Sequence, residues 1–333
     1  MQHLPDSQRR RAALVGVKLA ALAREHAGAD IGEVSGFGGG AGLLTSAGEA
    51  WVLIDERPDR GVGSALAWAL SRDATSLSIL ADSATGQLVR RAEGFGFPIR
   101  VFHVEARTLL QAVAEPLPER TPVSPEHLAL RSMIVEGDAE PVIEHGVLAG
   151  EVRGLEVCRV VDDPVSGEVR LEVGIGAHDR ETFQMLQGDR PKVEALAGVV
   201  ATVAVQRTPG RPPHPLNQLA ASRLLRSRLV EHPELIGATS VTIAEPPIAR
   251  TNVKDQAPSA AVATLSDGSQ ELVVCTTGID LDVVPYSVDA VAFHGATSCV
   301  IAAPSRDVVP VQLRIASLCR VPTRFVPVDT RDV

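Results

Sequence analysis

Short apolar runs along this 333-residue chain alternate with segments whose apolar positions recur at helical spacing, the pattern of a mixed α/β protein. Near the N-terminal end the spacing predicts a helix over Ala12–His26, then a glycine-rich stretch read as a loop. A hairpin, Gly42–Ser46 and Ala50–Asp55, turns at Ala47-Gly48-Glu49. A helix near Gly63–Ser71, a strand Leu77–Ala81, a helix Thr85–Phe95 and a strand Ile99–Val104 come next. The C-terminal part gives the same order: a helix over Leu216–Val230, a hairpin Ala260–Leu265 and Glu271–Thr276 around Asp267-Gly268, and a helix Val284–Phe293. A strand Cys299–Ala303, a helix Val308–Leu318 and a strand Thr323–Val328 complete it. Leu77–Ala81 and Cys299–Ala303 lack alternation, as strands buried on both faces do.

This shared order predicts an internal duplication, two divergent repeats of a helix–hairpin–αβαβ unit. Ala74-Thr75-Ser76 enters one apolar strand as Ala296-Thr297-Ser298 enters the other, and Arg100–Val104 lines up with Arg324–Val328. Proline supplies no ladder or helix N–H, so Glu115–Pro125 and Thr208–Pro215 read as linkers and Glu245–Pro258 as a long loop. The expected segments are 1–114, a middle αβ segment over 124–207, and 214–333.

The middle segment carries the most suggestive chemistry. Gly154–Val161 and Glu168–Ile175 alternate apolar and polar around the turn Asp162–Gly167, which predicts an antiparallel hairpin. Period two sends Leu155, Val157, Val161, Val169, Leu171, Val173 and Ile175 to the core. Glu156, Asp162, Glu168, Arg170 and Glu172 are then expected on the opposite face, with Glu151, His178 and Asp179 just beyond the strand ends. Gly174 and Gly176 would leave room above the sheet for a ligand. Clustered carboxylates suit Mg²⁺ or Mn²⁺, hard cations that take oxygen ligands. The metal ligands expected are Glu156, Asp163 (or Asp162) and Glu172, with His178 as general base. The alternative is a solvated hairpin face, with Arg170 neutralising the carboxylates and Asp179 capping a helix over Arg180–Leu186.

Taken together, the order helix, hairpin, helix, strand, helix, strand resembles the restriction-endonuclease-like fold of PD-(D/E)XK nucleases, which runs helix, three-stranded meander, helix and a further strand, and also a generic Rossmann-like half. The first resemblance implies a metal-dependent phosphodiester hydrolase acting on or binding nucleic acid. At both ends the acidic motif is incomplete: Asp55-Glu56 closes its strand without the acidic-x-Lys signature, and Cys275–Gly278 holds no carboxylate. In the hairpin, Gly174 stands where the lysine would follow Glu172. The rival expectation is a non-catalytic scaffold or assembly protein with a protein partner, built on a degenerate enzyme fold.

Other signals change this picture little. Gly36–Ala41 fits G-x-G-x-x-(G/A), but Leu43-Leu44-Thr45-Ser46 reads as a strand, where a pyrophosphate site needs a helix. Asp280 and Asp282 sit at a strand end, either as metal ligands or as first-turn residues facing the helix dipole. Only three of the 32 lysines and arginines are lysine, a bias typical of a high-GC bacterial genome. Arg9–Arg11 and Arg223, Arg226 and Arg228 are candidates for phosphate contact. A net charge of −9 argues against nonspecific coating of nucleic acid, and 3% aromatics leaves few platforms for base stacking. Cys158, Cys275, Cys299 and Cys319 lack metal spacing and read as small hydrophobes. Lys18 interrupts the apolar stretch after Arg11, so an amphipathic helix is expected there and not an export signal. No run is long enough to span a bilayer, and a cytoplasmic location is expected.

Overall fold

A computed structural model describes residues 6–187, 191–208, 214–250 and 256–329. Parts of the two later proline-rich stretches, 209–213 and 251–255, lie outside the described residues, as do the side chains of Arg9 and Arg10. The chain begins with α1 (Asp6–His26), β1 (Ser35–Phe37), β2 (Gly40–Leu44), β3 (Glu49–Ile54), α2 (Val62–Leu70) and β4 (Ser76–Ala81). It continues with α3 (Thr85–Ala92), β5 (Ile99–Glu105), β6 (Thr108–Gln111), α4 (Pro125–Leu128) and α5 (Arg131–Glu136). Then come β7 (Glu140–Glu144), β8 (Val147–Val152), β9 (Leu155–Asp162), β10 (Val169–Val173), α6 (Gly176–Gln187) and α7 (Lys192–Gln206). The last elements are α8 (Ala221–Glu231), β11 (Ser240–Ala244), β12 (Ser259–Thr264), β13 (Gln270–Cys275), α9 (Val283–His294), β14 (Cys299–Pro304), α10 (Pro310–Ala316) and β15 (Thr323–Val328).

Internal contacts divide the chain into two compact units. The first comprises Met1–Leu117, Ile279–Thr297 and Val309–Arg324; the second comprises Pro118–Gly278, Ser298–Val308 and Phe325–Val333. The segment 214–333 therefore contributes to both.

The first unit holds a six-stranded mixed sheet in the order β1-β2-β3-β4-β5-β6. β1, β2 and β3 form an antiparallel meander, β3, β4 and β5 run parallel, and β6 returns antiparallel. α1 covers one face, where Val15, Leu19 and Leu22 pack on Leu43, Trp51, Leu53 and Leu80. α2 lies on the other face, over Gly42. A Cβ on Gly42 would stand 2.6 Å from the Trp68 ring, so this strand position must be bare. The glycine-rich stretch expected as a loop is instead the β1–β2 hairpin, turning at Gly38-Gly39 with Gly39 at φ 99°. Glycine there supplies the positive φ of a tight hairpin turn.

The second unit holds two sheets. One is four-stranded and antiparallel, β10-β9-β8-β7. Its apolar face carries Leu148, Cys158, Val160, Leu171 and Val173 against Ile134 of α5 and Leu196, Val200 and Val203 of α7. The other sheet runs β11-β12-β13-β14-β15, with β11 to β13 antiparallel and β14 parallel to β13. Leu225 and Leu229 of α8 pack on Val241, Ala261, Val273 and Val300 of this sheet. No helix among the described residues is long and apolar enough to cross a membrane.

Candidate functional site

The polar face of the four-stranded sheet is where charged side chains converge. A two-residue turn, His145-Gly146, joins β7 to β8 with both residues at positive φ (51° and 76°), as a type I′ hairpin requires. It aligns Glu140 with Glu151, Val142 with Ala149 and Glu144 with Val147. Between β8 and β9 the register shifts at Gly150/Glu151: Gly150 faces Cys158 while Glu151 faces Glu156, leaving Val157 as an extra residue. Such a β-bulge reverses the alternation beyond it. Glu156 and Arg159, which strict period two would send to opposite faces, therefore meet in a two-pronged ion pair at 2.9 and 2.8 Å.

The expected hairpin register is corrected by one residue. Glu172 of β10 faces Arg159, Arg170 faces Val161 and Val169 faces Asp162, so even positions on one strand pair with odd positions on the other. Cys158 and Val160 take the core face beside Leu171 and Val173, in place of Val161, while Val157 at the bulge is buried in the same core as expected. Glu156 and Glu172 are not cross-strand neighbours; Arg180 of α6 links them, at 2.9 Å to Glu156 and 3.5 Å to Glu172. Asp163 and Glu172 are both held by Arg170. The backbone N–H groups of Ser166 and Val165 also hold the Asp163 carboxyl below the ordinary aspartate range. His178 is exposed on α6, away from this cluster's hydrogen bonds, and its carbonyl accepts from Thr182. Asp162 is exposed and meets His127 at 3.1 Å.

Two further expectations change with the local geometry. The space over Gly174 is filled by the start of α6: a Cβ there would lie 2.9 Å from Arg180 N and Asp179 Oδ2. Asp179 does not cap a later helix; its carboxylate accepts from Ile175 N at 2.6 Å inside the first turn of α6.

α8 supplies the second half of the cluster. Arg223 and Arg226, three apart on one helical face, each bridge Glu144 and Glu151. Expected as candidates for phosphate contact, they are buried by the fold instead: Arg226 is 0% and Arg223 8% exposed. Burial alone would raise the Glu151 pKa, but Arg223 and Arg226 prevail and hold it below the ordinary glutamate range. Burial likewise opposes the charge on Arg223, and Glu151 and Glu144 overcome it.

Over this face a cavity of about 110 Å³ opens, lined by Glu144, His145, Glu151, Glu156, Arg159, Arg223 and Arg250 among others. The sequence signals for it are weak. His145-Gly146 is a turn dipeptide, and Arg250 lies in a proline-rich loop with no periodicity. No group of three or more His, Cys, Asp or Glu side chains placed to hold a metal ion occurs among the described residues.

In the first unit a separate buried network joins α3 to α9. Arg90 and Arg91 grip Asp289 at 2.9 and 2.8 Å, and Arg91 also holds Asp282 at 2.9 Å. Asp282 occupies the N-cap position of α9, yet its carboxylate accepts from Gly63 N in the first turn of α2. Asp280 pairs with Arg60. Both aspartates thus serve helix ends and ion pairs.

All four cysteines are free thiols, and burial pushes Cys158 and Cys275 up to about 12. A scan of protein-family models, a search of curated proteins and a search of solved structures each found nothing that matches this chain.

Proposed function

We propose that this chain is a non-catalytic binding or assembly protein. One observation carries the reading: the carboxylates that would do chemistry are saturated by fixed donors. Both oxygens of Glu151 and of Glu144 accept from Arg223 and Arg226. Both oxygens of Glu156 accept from Arg159, with Arg180 adding a second bond to one of them. Asp163 is shared between Arg170 and its own turn, and Glu172 between Arg170 and Arg180. A metal ligand or general base needs a free lone pair facing the substrate. Here hydrolysis at Glu156, Asp163, Glu172 and His178 would first require Arg170 and Arg180 to let go.

A nuclease-like reading keeps one support, the order of the first sheet. Its antiparallel β1-β2-β3 meander is followed through α2 by a parallel β4, the order expected of an endonuclease-like core. The β11-β12-β13 meander followed through α9 by β14 supports an ancestral duplication in the same way. We read both as ancestry. The test is incubation of the full chain with single- and double-stranded DNA and with RNA, in Mg²⁺ and in Mn²⁺. We expect no cleavage and no metal-dependent rise in Tm. Mn²⁺-dependent cleavage that Glu172→Gln removes would overturn the reading and restore the metal-dependent hydrolase.

A further inference from the structure

The charges around the sheet's polar face are unevenly paired. Arg223 and Arg226 neutralise Glu144 and Glu151, while Arg159, Arg170 and Arg180 neutralise Glu156, Asp163 and Glu172. Arg250 is less closely paired, and a further carboxylate, Glu245, is taken by His145 through Nδ1 (3.4 Å) and the backbone N–H. The closest carboxylate oxygen to Arg250 among the described residues is Glu156 Oε2 at 3.8 Å, an ion pair beyond hydrogen-bond reach, and the Arg250 side chain is only 9% exposed. Arg250 Nη1 is fully buried and has no hydrogen-bond partner. His145 Nε2 is a second buried nitrogen without a partner, and both residues line the same cavity.

A guanidinium held out of water at ion-pair distance only, with one buried N–H group unbonded, is costly. Such an arrangement is stable when something else supplies the missing acceptor. Water alone would satisfy the donor and leave the charge, whereas an anion satisfies both. At about 110 Å³ the cavity far exceeds the ~10–15 Å³ that one water needs and has room for a phosphate or carboxylate group. The carboxylates in its wall do not forbid this, because Arg223, Arg226 and Arg159 already occupy their oxygens.

We propose that this cavity of the second unit is a binding site for a small oxyanion, a phosphate or carboxylate group, held by Arg250, with His145 Nε2 as a second donor in the protonated ring, whose Nδ1 faces Glu245 Oε1 at 3.4 Å. Planar N–H donors of arginine match oxyanions in shape as well as charge. The site goes beyond the non-catalytic reading and does not depend on it, since an oxyanion pocket would serve an enzyme or an assembly protein equally.

The test is thermal unfolding and calorimetric titration of the full chain with sodium phosphate and, separately, sodium acetate, each against sodium chloride at equal ionic strength. A ligand that binds only the folded state raises Tm with its concentration as binding saturates. We expect such a rise for at least one oxyanion; whichever gives it identifies the group. Arg250→Met should weaken binding tenfold or more, His145→Gln should weaken it less, and Arg250→Lys should retain part of it. In chloride alone Arg250→Met should match or exceed the wild-type Tm, because it removes a buried, incompletely bonded charge. Neither oxyanion acting beyond chloride would overturn the proposal. So would a response that survives in both Arg250→Met and His145→Gln, or an Arg250→Met loss of Tm that is the same in chloride and oxyanion. Should Arg250→Met fail to fold, Arg250→Lys and His145→Gln decide by the same criteria.

Discussion

At the scale of single residues, burial and pairing decide what each carboxylate does, and the two networks give opposite pH signatures. Burial, against the pull of Arg91 and Gly63 N–H, pushes Asp282 up to about 6, from an ordinary value near 3.8. Between about pH 4 and 6 the folded chain therefore keeps a proton that the unfolded chain releases. By linkage, stability falls as pH rises through that window and levels off above it, by roughly 3 kcal/mol for two pH units. Urea titrations of wild type and Asp282→Asn at pH 4 and pH 7 should show this decline in the wild type and its loss in the variant. Glu151 behaves the other way: its pKa is lowered, so its contribution is present above the ordinary glutamate range and fades on acidification. Glu151→Gln leaves Arg223 and Arg226 buried with half their partners, and should cost about 3–5 kcal/mol in the same titration at pH 7. A loss under about 1 kcal/mol would mean that the pairs relax into solvent. Charge type and approximate place of these residues are legible in the sequence. Their partners are not, because Arg223 and Glu151 are 72 residues apart and no periodicity links them.

Elements are legible where composition and spacing agree. α2, α9, β4, β14 and the hairpins β2–β3 and β12–β13 fall within a residue or two of their expected bounds, since buried strands and covered helices carry dense apolar signals. β7 and β8 escape the pattern: Glu140–Glu144 mixes proline and glutamates with two apolar residues, and Glu144 faces inward to arginines instead of outward to water. The β9 bulge is the costlier miss. One unpaired residue, Val157, moves Glu156 onto the face with Arg159, and period-two reasoning has no way to register an insertion that only the partner strand reveals. The expectation that Leu77–Ala81 and Cys299–Ala303 are central strands agrees with the sheet orders: β4 lies between β3 and β5, β14 between β13 and β15. Ile79 and Ile301 are each fully buried. Truncating either to alanine should cost about 2–5 kcal/mol in denaturant titration, because the close-packed sheet cannot collapse into the void.

On the scale of the whole molecule, the compact units are not consecutive stretches of chain, and this has a consequence for fragments. The first unit's leading segment ends at Leu117, within the proline-rich stretch Glu115–Pro125. What punctuation cannot show is that Ile279–Thr297 and Val309–Arg324 belong to the same unit. Those segments supply Asp282 and Asp289, the carboxylates against which Arg90 and Arg91 are buried, and Asp280, which pairs with Arg60. They also supply Val288, whose side chain closes over Gly94 so tightly that a Cβ there would lie 2.2 Å away. A fragment of residues 1–117 keeps its six strands but loses every one of these partners. Arg91, 2% exposed in the full chain, would face the choice of staying buried without its carboxylates or pulling α3 away from the sheet. Breaking buried ion pairs on one side costs several kcal/mol each, against a total stability of only ~5–15 kcal/mol. Fragment 1–117 should therefore unfold without a sharp thermal transition and be cleaved rapidly by protease within α3. Adding Arg90→Leu and Arg91→Leu should recover part of the cooperativity by removing the stranded charges. A sharp transition for the unmodified fragment near that of the full chain would mean that α9 and α10 are dispensable to the unit.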